Sequence, residues 1–347
     1  MSGNTIIAPY SELHKSPNGP GDGRPTALKI VQDEDLVGKW SDKTILITGA
    51  SSGIGVETAR ALHATGARIF ITSRDMAKAD SVVEDIMSTS PSKVPIETLP
   101  LDFNSLDSVR SGAQDFLSRS KYLNILINNA GAMSKEEKVV TKDGFESLFQ
   151  VNYLAPYLLT KMLLPTLVAS STPDFASRVV NVSSMGHIWH SPGGLTDEAL
   201  ADINFEHKPF QPWLQYGQTK TANILHANQI ERLYGSDPEH PVHAFSLHPG
   251  AITTEIWRYM KDKLSEREQQ FKKVWKSVDQ GAATSVWCAC AKVWEGKKGR
   301  YCEECQESVP LAKDAPKGSQ GYAPWAYDEV QEKKLWDMSE DLVKKWA

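Results

Sequence analysis

From residue 43 onward, short apolar runs alternate with longer segments of helical character, and this alternation constrains the fold more than any other feature. Strands that are separated by helices must cross over and pair in parallel. Several runs are apolar at nearly every position, which is typical of strands that helices cover on both faces. The sequence therefore predicts an α/β fold with a single doubly wound parallel sheet and helices on both faces. Strands are predicted at 44–48, 67–72, 96–101, 125–128, 178–182 and 242–247, and helices at 76–88, 106–118, 144–168, 218–234 and 282–291.

Residues 1–42 are predicted to be an extension that precedes one domain at 43–347. Residues 16–25 are rich in Pro and Gly and cannot form a regular element. The first ten residues lack the basic and apolar regions of a secretory signal, and no run approaches the roughly 18 apolar residues of a membrane span. With 38 basic and 43 acidic residues, no basic excess indicates a nucleic acid partner. We therefore expect a cytoplasmic protein without a membrane span.

The four cysteines raise the question of a metal site. They spell C-A-C at 288–290 and C-E-E-C at 302–305, which loosely resembles a zinc site. However, Cys288 and Cys290 lie on a predicted helix, where side chains two positions apart diverge. We therefore predict reduced thiols and no bound metal.

A glycine-rich turn follows the first predicted strand. Residues 48–55 read T-G-A-S-S-G-I-G, with glycines at 49, 53 and 55. Such a turn lets the backbone approach a pyrophosphate, and the next helix directs its free N–H groups at the anion. The spacing differs from the usual G-x-G-x-x-G, and a purely structural turn is the alternative for this motif alone.

The end of the second predicted strand bears on the choice of nucleotide. In dinucleotide sites an acidic residue here binds the ribose 2′-hydroxyl, whereas Arg accommodates a 2′-phosphate. Ser73 stands where the acid would be and Arg74 follows it, which favours NADP(H) over NAD(H). Alternatively, Arg74 is a solvated surface charge and Asp75 binds a ribose hydroxyl, which would favour NAD(H).

A tyrosine and a lysine form the strongest candidate pair for chemistry. Tyr216 and Lys220 are four positions apart and would share one face of a helix. A free tyrosine has a pKa of about 10, and a neighbouring ammonium lowers it. Tyr216 is therefore predicted to act as a general acid in reduction and as a general base in oxidation.

Two further positions join this candidate set. The fifth predicted strand ends with Ser183 and Ser184, of which one side chain would face the site because side chains alternate along a strand; both could instead merely cap the strand. Asn152 is unusual inside a helix, and Pro156 lacks the amide that would donate to the Asn152 carbonyl. A local kink without a chemical role is the alternative for Asn152.

Together, T-G-x-x-x-G-x-G at 48–55, N-N-A-G at 128–131, Y-G-Q-T-K at 216–220 and H-P-G at 248–250 resemble the short-chain dehydrogenase/reductase family over about residues 43–347. Residues 335–342 look like the C-terminal end of its retinol-dehydrogenase-like branch, a less specific match. The resemblance implies a Rossmann-type catalytic domain with Ser184 as the catalytic serine and Asn152 holding a water that connects Lys220 with solvent.

The resemblance also implies a set of cofactor contacts. Asp102 would bind the adenine edge, and Thr254, with Thr253 as the neighbouring alternative, would contact the nicotinamide carboxamide. The full predicted set is Gly49, Ser51, Ser52, Gly53, Ile54, Gly55, Ser73, Arg74, Asp102, Phe103, Asn129, Ala130, Gly131, Tyr216, Lys220, Pro249, Gly250, Ile252 and Thr254.

Two segments, about 185–215 and 254–280, are predicted to form a lid over the substrate. The first connects the catalytic serine to the catalytic tyrosine, so it should border the pocket. The two segments contain His187, Trp189, His190, Phe205, Phe210, Pro212, Trp213, Trp257, Tyr259 and Met260. Aromatic walls suit a bulky apolar substrate, although each residue could equally pack the lid on its own scaffold. The first segment could obstruct a helix that many family members use to dimerise, so monomer and homodimer both remain open.

These observations predict an NADP(H)-dependent ketoreductase that interconverts a ketone or aldehyde and an alcohol on a bulky hydrophobic small molecule. A nucleotide-binding regulatory or scaffold protein on the same fold is the alternative from another class, since fold alone does not establish catalysis. A third possibility keeps the enzyme but changes the reaction to C=C reduction or epimerisation.

Overall fold

A single eight-stranded sheet forms the centre of the protein. The computed structural model describes residues 6–133, 136–252, 272–316 and 318–347. The strand order is β3-β2-β1-β4-β5-β6-β7-β8, and all neighbours are parallel except the antiparallel pair β7 and β8. The strands are β1 Thr44–Ile47, β2 Arg68–Ser73, β3 Ile96–Pro100, β4 Ile125–Asn128, β5 Ser177–Val182, β6 Val242–His248, β7 Tyr301–Glu303 and β8 Gln306–Glu307. The predicted doubly wound parallel sheet is confirmed.

Helices cover both faces of this sheet. They are α1 Ser11–His14, α2 Ala27–Asp33, α3 Ile54–His63, α4 Met76–Thr89, α5 Leu106–Arg119, α6 Ser147–Phe149, α7 Ala155–Ser170, α8 Gly186–Trp189, α9 Asp197–Ala201, α10 Pro212–Tyr234, α11 Val278–Cys290 and α12 Glu329–Val343. One apolar core contains residues of α2, α3, α4 and α11, and the other contains residues of α5, α7, α10 and α12. Along β1, Ile45 and Ile47 belong to the first core and Leu46 to the second, which explains why these three consecutive positions are all apolar.

The topology creates a crevice at the carboxyl edge of the sheet. β1 pairs with β2 on one side and with β4 on the other, so the chain reverses its direction of winding between β1 and β4. In doubly wound sheets, ligands bind outside the carboxyl ends of the strands at such a switch point. The turns that follow β1, β4, β5 and β6 therefore define where a site is expected.

The helix predicted at 144–168 is wrong as one continuous α-helix. The structure has α6, then a π-helical turn at Gln150–Leu154, then α7. Pro156 has no N–H to donate to the Asn152 carbonyl, so the regular hydrogen-bond ladder cannot run through this position. The wider turn buries the Asn152 side chain, which is 1% exposed.

Two other helices begin earlier than predicted. α10 begins at Pro212 instead of residue 218, because proline's fixed φ and missing N–H suit the first helical turn. Trp213 is therefore a helical residue that precedes Tyr216 by about one turn. α11 begins at Val278 instead of residue 282, where Ser277 and Gln280 form a capping box.

Both ends of the chain pack onto the domain. α2 contributes Ile30 and Val31 to one core, and the sequence did not predict this helix. α12 lies against α7: the Tyr153 hydroxyl is 2.7 Å from Ser339 Oγ, and the Trp336 ring lies 5.2 Å from the Tyr157 ring. Within the described ranges, no helix combines the length and apolar character that crossing a membrane requires.

Candidate active site

The turn after β1 is packed against the turn after β4. Gly49 has φ of 65°, and a Cβ there would lie 2.7 Å from Ala130 Cα. A Cβ on Gly55 would lie 2.6 Å from Asn129 Nδ2. Both positions therefore require glycine, because a side-chain Cβ does not come this close to a non-bonded heavy atom.

Thr48 and Asn129 join the two turns by hydrogen bonds. Thr48 Oγ1 accepts from the amides of Asn129 and Ala130, each at 3.1 Å. Asn129 Nδ2 donates to the carbonyl oxygens of Thr48 at 2.9 Å and Gly49 at 3.2 Å. The sequence analysis missed Thr48, although a threonine directly before the first glycine was the available signal.

The N-terminus of α3 meets the requirement of an anion site. Its N-cap residue, Gly53, has φ of 60° and supplies no side-chain cap. In contrast, the side chains of Asp75 and Ser105 cap α4 and α5 on the same sheet. The first amides of α3 therefore remain directed at the crevice, where a pyrophosphate fits. Ser51, Ser52 and Ile54 lie in and just after this turn, and all are half-buried.

Some side chains that follow β2 and β3 already form hydrogen bonds within the protein, whereas others are exposed to solvent. Ser73 Oγ donates to the Asp75 carbonyl at 2.8 Å and accepts from its amide at 3.0 Å. The Asp75 carboxylate accepts from the Lys78 amide, whereas Arg74 is exposed at the edge of the crevice. Asp102 Oδ1 accepts from the amide and side chain of Asn104 at 2.9 and 2.8 Å. Phe103 beside it is buried.

The structure brings the predicted serine and tyrosine together. Ser184 and the buried Tyr216, which is 7% exposed, both border Gly186: a Cβ on this glycine would lie 2.9 Å from Tyr216 Cε1 and 3.5 Å from Ser184 Oγ. Gly186 packs on the Tyr216 ring and donates its amide to Ser184 Oγ at 3.1 Å. Ser183 points the other way, because its hydroxyl donates to the Lys220 carbonyl at 2.7 Å.

Lys220 and Asn152 lie next to this pair, around Gly131. Lys220 Nζ donates to the Val182 carbonyl at 3.0 Å and lies 5.6 Å from the centre of the Tyr216 ring. Asn152 Oδ1 accepts from the Ala132 amide at 2.6 Å. A Cβ on Gly131 would be 3.4 Å from Lys220 Nζ and 3.5 Å from Asn152 Oδ1, so both polar atoms border the same small space.

Burial changes the proton affinities of both candidate groups. It raises the pKa of Tyr216, and the neighbouring Ser184 hydroxyl acts in the opposite direction without reversing the shift. Burial lowers the pKa of Lys220 to about 8. In the protein alone, the net shift of the Tyr216 pKa is therefore upward, opposite to the direction expected from Lys220, because burial removes the hydration that stabilises the phenolate.

The turn after β6 closes the crevice. Gly250 has φ of 103°, and Pro249 precedes it. Ile252 packs so closely on α11 that a Cβ on Gly281 would lie 2.6 Å from Ile252 Cγ1. Thr254 lies outside the described residues, as do its alternative Thr253 and the predicted lid residues Trp257, Tyr259 and Met260.

The aromatic residues between Ser184 and Tyr216 separate into two groups. The Trp213 ring stacks on His190 at 4.9 Å and lies edge-on, 6.3 Å from the Tyr216 ring. Phe205 and Phe210 pack on each other at 5.4 Å, as scaffold. Trp213 therefore flanks the candidate catalytic tyrosine, and His190 packs on the Trp213 ring.

His187 is also part of the scaffold. Burial lowers its pKa to about 4, so the ring is neutral at physiological pH. Nδ1 donates to the Ser184 carbonyl at 2.6 Å, and Nε2 accepts from the Ala323 amide at 3.2 Å. His187 therefore lies beside Ser184 as a buried, neutral ring that packs there, and not as an exposed imidazole.

The four cysteines are buried with free thiols. Cys302 Sγ donates to the Arg300 carbonyl at 3.7 Å, and Cys305 Sγ lies 3.7 Å from Thr284 Oγ1. In the part of the chain that the structure describes, no group of three or more His, Cys, Asp or Glu side chains could hold a metal ion.

Comparisons with known proteins agree with this architecture. The profile of the short chain dehydrogenase family matches residues 43–195. Short-chain dehydrogenase/reductase prx1 of Penicillium rubens is 45% identical over 336 residues, which cover 95% of this chain and 93% of that protein. Oxidoreductase calI of Penicillium decumbens is 43% identical over 345 residues, which cover 96% and 97%.

A solved structure gives the same result. The crystal structure of an uncharacterized protein from Mycobacterium paratuberculosis is 29% identical and has a TM-score of 0.66, covering 92% of this chain and 98% of that chain. Identity of this level over nearly the whole length of two relatives does not arise between unrelated proteins. The chain therefore belongs to the short-chain dehydrogenase/reductase family of oxidoreductases.

Proposed function

We propose that this protein is an NADP(H)-dependent carbonyl reductase, or the reverse alcohol dehydrogenase, that acts on a bulky hydrophobic small molecule. The observation that carries the proposal is the convergence of Ser184 and Tyr216, which both border Gly186, with Lys220 and Asn152, which both border Gly131. These four side chains come from three parts of the fold: the turn after β5, the π-helical turn before α7, and α10, which carries both Tyr216 and Lys220. They converge at the carboxyl edge of the sheet, where doubly wound folds bind ligands.

The chemistry assigns a distinct task to each side chain. The bound nicotinamide supplies a hydride in reduction and accepts one in oxidation. Tyr216 donates its phenolic proton to the carbonyl oxygen as the alcohol forms, and burial supports this role because it keeps the phenol protonated. The Ser184 hydroxyl donates to the same oxygen and stabilises its developing charge. Lys220 and Asn152 would relay a proton from solvent back to the Tyr216 phenolate after reduction, and in the opposite direction after oxidation, through the space beside Gly131.

The cofactor site has groups that fit NADP(H). The amides at the start of α3 would bind the pyrophosphate, and the tightly packed glycines leave room for it. The exposed Arg74 would pair with the 2′-phosphate. Asp75 already caps α4, which argues against the NAD(H) alternative that depends on its carboxylate. Ser73 would contact the phosphate only if its hydroxyl turned away from the Asp75 carbonyl.

The rings beside Tyr216 support a hydrophobic substrate. Trp213 presents its edge to the Tyr216 ring, and His190 stacks behind it. A flat apolar surface next to the proton donor favours substrates with an apolar group attached to the carbonyl. Membership of the retinol-dehydrogenase-like branch and a cytoplasmic location remain predictions.

The test is NADPH consumption by the purified protein with aliphatic, aromatic, steroid-like and polyketide-like carbonyls. We expect turnover on apolar members of the panel, and loss of at least about 100-fold in Tyr216→Phe, since general acid catalysis contributes roughly 10²–10⁴-fold. Tyr153→Phe is the matched control, because it removes a buried hydroxyl that bonds Ser339 outside the site.

Two results would contradict the proposal. Tight NADPH binding without turnover on any carbonyl would favour the regulatory or scaffold alternative. Full activity in Tyr216→Phe would remove the proton donor from the mechanism. Products reduced at C=C or inverted at one carbon would instead identify the third possibility.

A further inference from the structure

A buried lysine outside the predicted site supports the turn after β6. The Lys276 side chain is 1% exposed, and its Nζ lies 3.0 Å from Glu304 Oε1. Nζ also donates to the Pro249 carbonyl at 3.4 Å. A Cβ on Gly250 would lie 2.8 Å from Lys276 Cδ, so the lysine stem lies directly against that glycine. Lys276 thus contacts both residues of the turn that the nicotinamide end of a cofactor would meet.

The partner of Lys276 is fixed by an unusual hairpin. Glu304 and Cys305 connect β7 and β8, and both have positive φ, of 52° and 53°. A two-residue turn of this kind normally uses Asn or Gly, because other residues are strained there. Burial opposes ionisation of Glu304, but His14 and Lys276 outweigh it and lower its pKa to about 2. Glu304 is therefore a permanent anion between two basic side chains.

His14 belongs to the N-terminal extension and completes this cluster. Its ring contacts the Glu304 carboxylate, and its side chain is 6% exposed. The link from the extension to the turn after β6 therefore runs from His14 to Glu304, then to Lys276, then to Pro249 and Gly250. A chain of buried contacts of this kind restricts the position of its last members, Pro249 and Gly250.

The extension also holds the segment that carries Lys276. Arg24 is 5% exposed and donates to the Val274 carbonyl at 3.0 Å and to the Trp275 carbonyl at 2.5 Å. The Gly19 amide donates to the Lys273 carbonyl at 2.9 Å. Residues 273–276 are thus bound to the extension through their backbone and to Glu304 through a side chain.

We propose that Lys276 is a positioning residue for the nicotinamide end of the cofactor, and that the N-terminal extension controls its position through His14 and Glu304. The inference rests on the proposed function, because it requires a nicotinamide cofactor in the crevice. It assigns to the extension a part in cofactor binding. The bland alternative is that the cluster only fastens the extension to the domain.

The first test is the NADPH dissociation constant of full-length Lys276→Met, measured by titration calorimetry. We expect it to rise about tenfold, which corresponds to about 1.4 kcal/mol, the size of one charge-assisted hydrogen bond. The turnover number at saturating NADPH should fall as well, because a displaced nicotinamide carries the reacting carbon out of line with the substrate. Glu304 keeps its contact with the His14 ring in this variant.

Lys29→Met is the matched control, because Lys29 lies on the same extension in an exposed ion pair with Asp33. It should leave the dissociation constant unchanged. If Lys276→Met binds NADPH as tightly as the wild type and both melt at similar temperatures, the inference is wrong and the bland alternative holds.

A double-mutant cycle tests the extension's part and does not depend on Lys276→Met alone. His14→Gln should weaken NADPH binding in the wild type and add little in the Lys276→Met background, because both act through Glu304. Additive effects, or no effect of His14→Gln, would refute the link. Failure of the proposed function would look different: the wild type itself would bind neither NADPH nor NADH.

Discussion

Gly186→Ala provides a sharp test of the position of the tyrosine, because the structure fixes what the added methyl group meets. The new Cβ would lie 2.9 Å from Cε1 and 3.2 Å from Cδ1 of Tyr216, and 3.5 Å from Ser184 Oγ. Carbon atoms prefer separations of about 3.5–4.0 Å, so the ring has to move by roughly 0.5–1 Å. A displacement of about 1 Å at a reacting group can reduce the rate about 100-fold.

The backbone itself should tolerate this change. Gly186 begins α8 and does not have positive φ, so alanine can adopt its conformation. Overpacking costs about 1–3 kcal/mol, and alanine recovers about 0.5–1 kcal/mol relative to glycine in a helix. We therefore expect the variant to fold with a free energy of unfolding at most about 2 kcal/mol lower.

The assay is the turnover number with saturating NADPH and the best carbonyl of the panel. Gly186→Ala should lower it about 10–100-fold while the NADPH dissociation constant stays within about twofold. Gly23→Ala is the control, because its Cβ would meet no atom within 4 Å and its φ is not positive. A turnover number within threefold of the wild type would refute the claim that the Tyr216 ring must lie where the structure has it.

Two further predictions concern cofactor choice and pH. Arg74→Glu should shift the ratio of kcat/KM for NADPH over NADH about 10–100-fold towards NADH, because a carboxylate repels the 2′-phosphate and can accept from a ribose hydroxyl; an unchanged ratio would exclude Arg74 as the phosphate partner. Burial raises the pKa of Glu303 to about 7, although the hydrogen bonds from Ser308 and Gly321 oppose the shift. A raised pKa in the folded state stabilises the protein at pH values below the unfolded-state pKa of about 4.5, and this stability is lost as the pH rises through 7. The free energy of unfolding of the wild type, measured in urea, should therefore fall by about 1–3 kcal/mol relative to that of Glu303→Gln across this pH range. A pH-independent difference between the two proteins would contradict it.

The sequence predicted the central strands well because their burial is uniform. β4 was predicted with its observed bounds, Ile125–Asn128, and β5 begins only one residue earlier than predicted. Continuous apolar runs mark such strands whatever their neighbours are. In contrast, β7 has three residues and β8 has two, and their turn uses Glu304 and Cys305 in place of Gly or Asn. Neither the alternation of apolar residues along such short strands nor the residue types in the turn could have revealed this hairpin.

The site was predictable where local motifs define it. Ser184, Tyr216, Lys220 and Asn152 were selected from short patterns, and the structure places them around one space. The pKa of Tyr216 was not predictable, because it depends on burial by distant segments. Lys276, His14 and Glu304 were missed for the same reason: the His14–Glu304 contact joins residues 290 positions apart, the Lys276–Glu304 contact joins residues 28 positions apart, and no pattern in the chain connects them.

The most direct test of the central claim follows the hydride itself. The protein is incubated with the accepted carbonyl substrate and with NADPH that carries deuterium at C4 of the nicotinamide, in each stereochemical form, and the product is analysed by NMR. Our account predicts one deuterium on the carbinol carbon from one of the two forms, with the transfer greatly slowed in Tyr216→Phe. Deuterium at a carbon of a former C=C bond, or in no product at all, would contradict it.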